Sequence, residues 1–342
     1  ANAIMKNKLR LISQRLLLAI PVVFGVVVIS FLLTRALPGD PAVYFAGAMA
    51  DEQSIQQTRE KMGLDKNLPL QFVAYVDRLI EGDLGVSHNT GQSVLFELKS
   101  RLPASLELTL IGLGLALTIA VPLGILAAMN PNSWIDHLCR LLVTAGVSMP
   151  IFFTGLFLVF IFYYLLQVAP APIGRLNFLF LPPPHVTGFY LIDALFANDW
   201  ALFRAALHQI MLPAITLAIF ALAPIARMTR GAMLVSLGSE YVKAATANGL
   251  PKKKVILVYA FKNAALPLLT TLGMVFSFLL GANVLVEKVF AWPGIGSFAI
   301  EALVASDYAA VQGFVLTMAL LFIFINLLLD IIYTFIDPRV SD

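Results

Sequence analysis

Six stretches of the chain carry no charged residue and are long enough, or nearly so, to cross about 30 Å of hydrocarbon: residues 16–33, 108–129, 141–169, 210–226, 263–286 and 308–329. Backbone groups in lipid have no water to bond with, so segments this apolar are predicted as helices, whose N–H and C=O groups pair within the segment. The fourth run is the shortest and holds Pro213 and Pro224, which leaves its ends the least defined. Lys6, Lys8, Arg10 and Arg15 precede the first run, and the lysine and arginine bias of membrane loops puts them in the cytoplasm. The interval between the fourth and fifth runs then also faces the cytoplasm. It carries Arg227, Arg230, Lys243, Lys252, Lys253, Lys254 and Lys262 against Glu240 alone, whereas the interval 287–307, on the other face, is net acidic.

The pattern predicts an all-α membrane protein with six transmembrane helices, both termini cytoplasmic, and two long extracytoplasmic segments. Residues 1–15 form the N-terminus, 16–36 the first span, and 37–103 a mixed-charge segment whose amphipathic run near 70–80 reads as part of a small helical subdomain on the membrane. Residues 104–342 hold the other five spans. Within them, 170–207 contains Pro182-Pro183-Pro184 and reads as an irregular cap, and 236–262 is a cytoplasmic loop. The first apolar run is long enough to remain as an anchor, and no secretory cleavage signal accompanies it.

That loop belongs to the longest polar interruption in the second half of the chain. Ser239 is placed to cap a helix beginning at Glu240, whose carboxylate suits the positive helix end. Asn248-Gly249 reads as its terminus, because glycine takes the left-handed conformation that helix ends use. Leu250 falls where the closing hydrophobic contact is made, and Pro251 can open a second helix. The first helix is too short to be stable alone in water. Its Ala244, Ala245 and Asn248 are small enough to let another surface approach. Lys252, Lys253 and Lys254 fall in the first turn of the second helix, where cations oppose the helix dipole. Local stability does not account for them; phospholipid headgroups or a partner protein would.

Composition narrows the function classes. With 59% hydrophobic and 13% charged residues among 342, and a mean hydropathy of +0.87, the chain is no ordinary soluble domain. The net charge of +3 sits in loops flanking the apolar runs and forms no basic face with interleaved aromatics, so nucleic-acid binding is not expected. The single cysteine, Cys139, excludes an intramolecular disulfide and reads as a small packing residue near a helix end. His88, His137, His185 and His208 are scattered, with no pair at metal-ligand spacing. No G-x-x-x-x-G-K-[ST] phosphate loop exists, and Gly294-Ile295-Gly296 lacks the third glycine of a dinucleotide site. Glu107, Asp136 and Asp330 read as lying at helix ends. None is at a span centre, where a proton relay would need one.

Several motifs, each ordinary turn chemistry when taken alone, occur in a collinear order. They are Leu37-Pro38-Gly39-Asp40-Pro41, Met62-Gly63-Leu64-Asp65 and Gly82-Asp83-Leu84-Gly85; then Thr187-Gly188-Phe189 with Ile192-Asp193-Ala194-Leu195, His208 and Leu212-Pro213; then Arg227-Met228-Thr229-Arg230. Lys243-Ala244-Ala245, Gly249 and Leu266-Pro267 follow, then Val289-Phe290-Ala291-Trp292-Pro293-Gly294-Ile295-Gly296, Asp307-Tyr308 and Asp337-Pro338-Arg339. This set resembles the integral membrane permeases of type I ABC importers, and within them the first-permease subunit of the dipeptide, oligopeptide and nickel branch. Lysine stands at 243 where the general coupling-loop pattern has glutamate, and Pro267 lies further from the glycine than in the generic form; both departures resemble that branch.

The resemblance implies a permease that forms half of a translocation path for di- or oligopeptides in the bacterial inner membrane. It implies a second permease subunit, two cytoplasmic ATPases that bind the ATP and Mg, and an extracytoplasmic solute-binding protein, with no cofactor in this chain. Glu240, Tyr241, Lys243, Ala244, Ala245, Asn248, Gly249 and Leu250 would form the loop that couples to the ATPases. Pro38, Gly39, Asp40, Pro41, Trp292, Pro293, Gly294 and Gly296 would be family-motif positions on the outer face. A nickel, glutathione or other small-solute permease of the same family stays open, as does, from another class, a secondary transporter working alone.

Overall fold

The computed structural model describes residues 2–36, 40–46, 50–61 and 63–336, and its regular structure is helical apart from an isolated antiparallel bridge between Val86 and Ser93. The helices are α1 (Asn2–Ala36), α2 (Pro41–Ala46), α3 (Glu52–Lys61), α4 (Leu68–Ile80), α5 (Val94–Met129), α6 (Trp134–Ser148), α7 (Ile151–Leu158, continued by a π-helical turn Val159–Leu165), α8 (Tyr190–Phe196), α9 (Trp200–Leu237), α10 (Glu240–Ala247), α11 (Lys252–Lys254, continued by the π-helical Val255–Ala260), α12 (Phe261–Val289), α13 (Ile295–Val304) and α14 (Tyr308–Ile336). Pro38, Gly39, Met62 and the motif 337–339 lie outside the described residues.

Among the described residues four helices are long and apolar enough to cross a membrane: α5, α9, the continuous Lys252–Val289, and Tyr308–Leu329. The third predicted run, 141–169, is not one straight helix. α6 and α7 meet at 104°, and together they count as a fifth span only if the bend is allowed. Pro150 explains the break, because the residue before proline is pushed out of the helical region; Met149 is extended at φ −116°, ψ 140°. The apolar part of α1, Leu16–Leu32, is shorter than these. The fourth run, expected to be the shortest, is instead the 38-residue α9, which passes through Pro213 and Pro224 without ending. It starts well inside the segment expected to be irregular, where the Asp199 side chain accepts the Leu202 N–H at 2.9 Å as an N-cap.

The chain divides into two compact units. One comprises Ala1–Ala104 with Pro293–Leu328. In it α4 lies along α1 through an edge-to-face contact of Phe31 with Phe72 (5.2 Å) and a hydrogen bond of 3.2 Å from the Tyr75 hydroxyl to Ser30 Oγ. Val94 and Leu98 pack with Ile295, Phe298, Ala302, Ala309 and Ala310. The loop at 87–91 is tied to the start of α14: Asp307 Oδ2 accepts from Ser87 Oγ at 2.5 Å and from the Asn89 N–H at 3.0 Å.

The other unit, Ser105–Trp292 with the end of α14, is built around α9, against which α12, α6, α7 and α8 pack. Small residues let α5 approach it closely. A Cβ on Gly112 would stand 2.8 Å from the Leu217 Cβ, and one on Gly124 2.7 Å from the Thr229 Cβ. Cys139 is buried in α6. Glu107 is not at a helix end as expected, because α5 begins at Val94. It is buried and paired: Arg175 Nη2 donates to Glu107 Oε2 at 2.6 Å and to the Gly188 carbonyl at 2.8 Å, while Glu107 Oε1 accepts the Leu191 N–H at 2.9 Å. The guanidinium also lies 3.4 Å from the centroid of the Tyr190 ring. Asp193 accepts from the backbone N–H groups of Val186, Thr187 and Gly188. Burial alone would raise its carboxyl, but these bonds and the Thr187 hydroxyl outweigh it and hold it below the ordinary range.

The Glu107–Arg175 pair is therefore expected to anchor the 170–207 segment. Arg175→Met leaves a buried carboxylate without its counter-ion and should cost about 3–5 kcal/mol, read as a lowered thermal midpoint of the detergent-purified protein. Adding Glu107→Gln should restore part of the loss, since the amide oxygen still accepts from Leu191. An unchanged midpoint in the single variant would show that the pair does not hold the segment.

Candidate functional site

The polar loop after α9 starts from an ion pair. Asp136, in the first turn of α6, is fully buried and receives Arg230 of α9 in bidentate fashion, Nε at 2.5 Å and Nη2 at 3.0 Å. It also accepts from Arg140 Nη2 at 2.8 Å and from the Asn132 N–H at 3.0 Å. A planar guanidinium meeting a carboxylate in this way fixes direction as well as distance. One turn beyond, Met233 is fully buried, and α9 ends at Leu237 with Gly238 as its cap.

α10 spans Glu240–Ala247 as predicted, with one difference at its start. Ser239 occupies the N-cap position, but its hydroxyl donates backward to the Ser236 carbonyl at 2.5 Å and makes no capping bond. The hydroxyl is used to turn the chain out of α9. At the other end Gly249 is left-handed at φ +73°, its N–H bonds the Thr246 carbonyl at 3.0 Å, and the Leu250 N–H bonds the Ala245 carbonyl at 3.3 Å. This is the Schellman closure. The same pair of bonds closes helices at Gly63, Gly82, Asn198, Ala291 and Ser306, all at positive φ.

The face expected to be free is corrected in part. Ala244 and Asn248 are exposed, but Ala245 is buried with Val242 in a cluster that includes Ala128, Met233, Val255, Ala260 and Ala264, with Leu250 packed against it. The outward face is therefore Glu240, Tyr241, Ala244 and Asn248, together with Ala247. Lys243, also exposed, pairs with Glu240 at 2.8 Å on the surface, a contact worth little in water. Pro251 sits one position before the next helix rather than in its first turn, and Lys252, Lys253 and Lys254 follow, all exposed.

The motif residues expected on the outer face are structural in their geometry. Asp40 accepts the Ala42 N–H at 2.9 Å at the start of α2, where Pro41 is the first residue, and pairs with Arg59. Trp292 is 1% exposed and closes α12, its N–H on the Glu287 carbonyl at 2.8 Å. Gly294 is extended ahead of α13 and accepts the Phe298 N–H at 3.3 Å; Gly296 is buried in the first turn of that helix, and Pro293 precedes them. Sequence reasoning missed the partnership of Arg175 with Glu107. The available signal was Arg175 as the lone charged residue in 169–184, which needs a counter-charge if it is covered.

Comparison with known proteins bears on what this arrangement serves. The model of the N-terminal part of the binding-protein-dependent transport system membrane component matches residues 8–109, and that of the binding-protein-dependent transport system inner membrane component matches residues 120–342. A relative named as a probable D,D-dipeptide transport system permease protein, from Escherichia coli (strain K12), is 44% identical over 331 residues, covering 97% of each chain. A di/tripeptide transport system permease protein from Pseudomonas aeruginosa is 41% identical over 333 residues, 97% of this chain and 98% of the relative. The dipeptide transport system permease protein of E. coli (strain K12) is 38% identical over 337 residues, again 97% and 98%. With both parts of its length matched, the chain belongs to the binding-protein-dependent transport system inner membrane components, the permeases of ABC importers.

Proposed function

We propose that this chain is one of two permease subunits of a peptide importer of the bacterial inner membrane. It would cross six times, with both termini in the cytoplasm, and form half of the path for di- or tripeptides. The relatives whose names carry those substrates match it nearly end to end, which supports the substrate class. Two cytoplasmic ATPases bind and hydrolyse ATP with Mg, and an extracytoplasmic binding protein delivers the peptide. The chain itself supplies no catalytic group.

The observation that carries the coupling role is α10: a two-turn helix, latched at its end, with Glu240, Tyr241, Ala244, Ala247 and Asn248 on its outward face. Eight residues do not hold a helix in water, so Val242 and Ala245 hold it through packing, leaving Tyr241, Ala244 and Asn248 free to meet an ATPase. A push on that face is passed to α9 and to the helix beginning at Lys252.

The position tested first is Gly249. Its Cβ space is open, so a substitution acts through backbone strain rather than through collision. Alanine should be mild, about 1 kcal/mol, as the natural Ala291 at φ +50° illustrates. Gly249→Val should still insert and pair with the second permease, yet lose peptide-stimulated ATP hydrolysis in the reconstituted complex. Full stimulation in the valine variant would show that this loop is only a connection.

Orientation gives a paired test. Ala244→Arg should abolish ATPase binding and leave the thermal midpoint unchanged, whereas Ala245→Arg should lower the midpoint by burying a charge. The reverse pattern would place the wrong face outward. Topology is checked in a Cys139→Ala background, where Lys253→Cys should label from the cytoplasmic side only and Asp65→Cys from outside only. Labelling of position 253 from outside would overturn the six-span arrangement.

A further inference from the structure

We propose that Lys252, Lys253 and Lys254 form a docking surface for anionic phospholipid headgroups, holding the base of α10 against the charged face of the bilayer. The proposal rests on the reading that this loop lies on the cytoplasmic side. All three side chains are exposed, and among the described residues none makes an ion pair, whereas Lys243 pairs with Glu240. No acidic residue occurs between Glu240 and Glu287, so the neighbouring sequence holds no counter-charge for them. Three cations in the first turn of a helix oppose its dipole, so the compensation comes from outside the helix.

Position selects the partner. One turn after the lysines, Leu257 and Val258 are 56% and 51% exposed, while Val255 and Ala260 are buried in the cluster that supports α10. The helix therefore passes within a turn from exposed cations to exposed aliphatic side chains, the order met on entering a leaflet from its headgroups. Lys262, exposed a turn further on, is long enough to reach back to the same layer. An ATPase is favoured less. The face proposed for it precedes the Gly249 reversal and carries a carboxylate already paired with Lys243. Near an anionic leaflet each lysine gains about fivefold in preference, against about 1.7- to 5-fold lost to the dipole, a cost that falls off within the first turn.

The test uses the full complex with its permease and ATPase partners, reconstituted in bilayers of equal parts phosphatidylcholine and phosphatidylglycerol, then re-extracted for mass spectrometry of the retained lipid. The wild type should retain phosphatidylglycerol in excess, and raised salt should weaken the excess. Replacing the three lysines together by glutamine should reduce it about fivefold per lysine, with the ATPases still bound. Replacing them by arginine should keep it, and Lys253→Gln alone should give an intermediate value. Wild-type enrichment in the glutamine variant overturns the proposal. So does loss of the ATPases at unchanged enrichment, which would assign the surface to them. If the wild-type chain binds no ATPase at all, the importer reading fails instead, and the lipid measurement stands by itself.

Discussion

The bidentate pair between Asp136 and Arg230 is the contact on which the loop geometry depends. It joins the first turn of α6 to the last third of α9, and Asp136 is fully buried. Without Arg230 the buried carboxylate would keep only Arg140 and the Asn132 N–H as partners, at a cost in stability. Met233 and the cluster around Val242 and Ala245 pack just beyond it. The pair, which lies outside the charge-free runs, and this apolar cluster together position α10. Apolar packing in lipid gains little from exclusion of water, since lipid tails are as oily as leucine. Polar anchors at the ends of the spans and close backbone approach at Gly112 and Gly124 define the arrangement instead.

The repeated helix closure adds a second theme. Where glycine occupies the left-handed position, as at Gly249, the end forms without strain. At Ala291 and Ser306 a side chain is carried at positive φ, at a cost of about 1 kcal/mol each. Both are followed by a buried residue, Trp292 and Asp307. At Gly249 the next residue is only half buried, and glycine forms the same closure without that cost.

Much of this was legible in the sequence because its determinants are local. Charge-free runs, the Asn248-Gly249 terminus and the lysine triplet are read from neighbouring residues. What stayed hidden depends on distance along the chain. Arg175 and Glu107 lie far apart in sequence, and nothing local marks them as partners. Ala245 looks as available as Ala244 until Met233 and Val255 show which side is covered. Pro150 was visible, but its effect differs from that of Pro213 and Pro224, which α9 absorbs. Those two sit within a buried helix supported on several sides, while Pro150 falls where α6 can turn away. The motif residues Pro38 and Gly39 lie outside the described residues.

The Glu107–Arg175 pair has a consequence for biogenesis. The two residues are 68 positions apart, so the ribosome delivers the carboxylate to the membrane well before its partner exists. During that interval α5 carries an acidic group without its counter-ion, favouring a position near the aqueous edge. Only when the segment after α7 emerges can Arg175 arrive, and with it Tyr190 and the Gly188 carbonyl. The nascent chain thus carries an unmet charge that its own later sequence resolves, and final seating of α5 awaits synthesis of the cap.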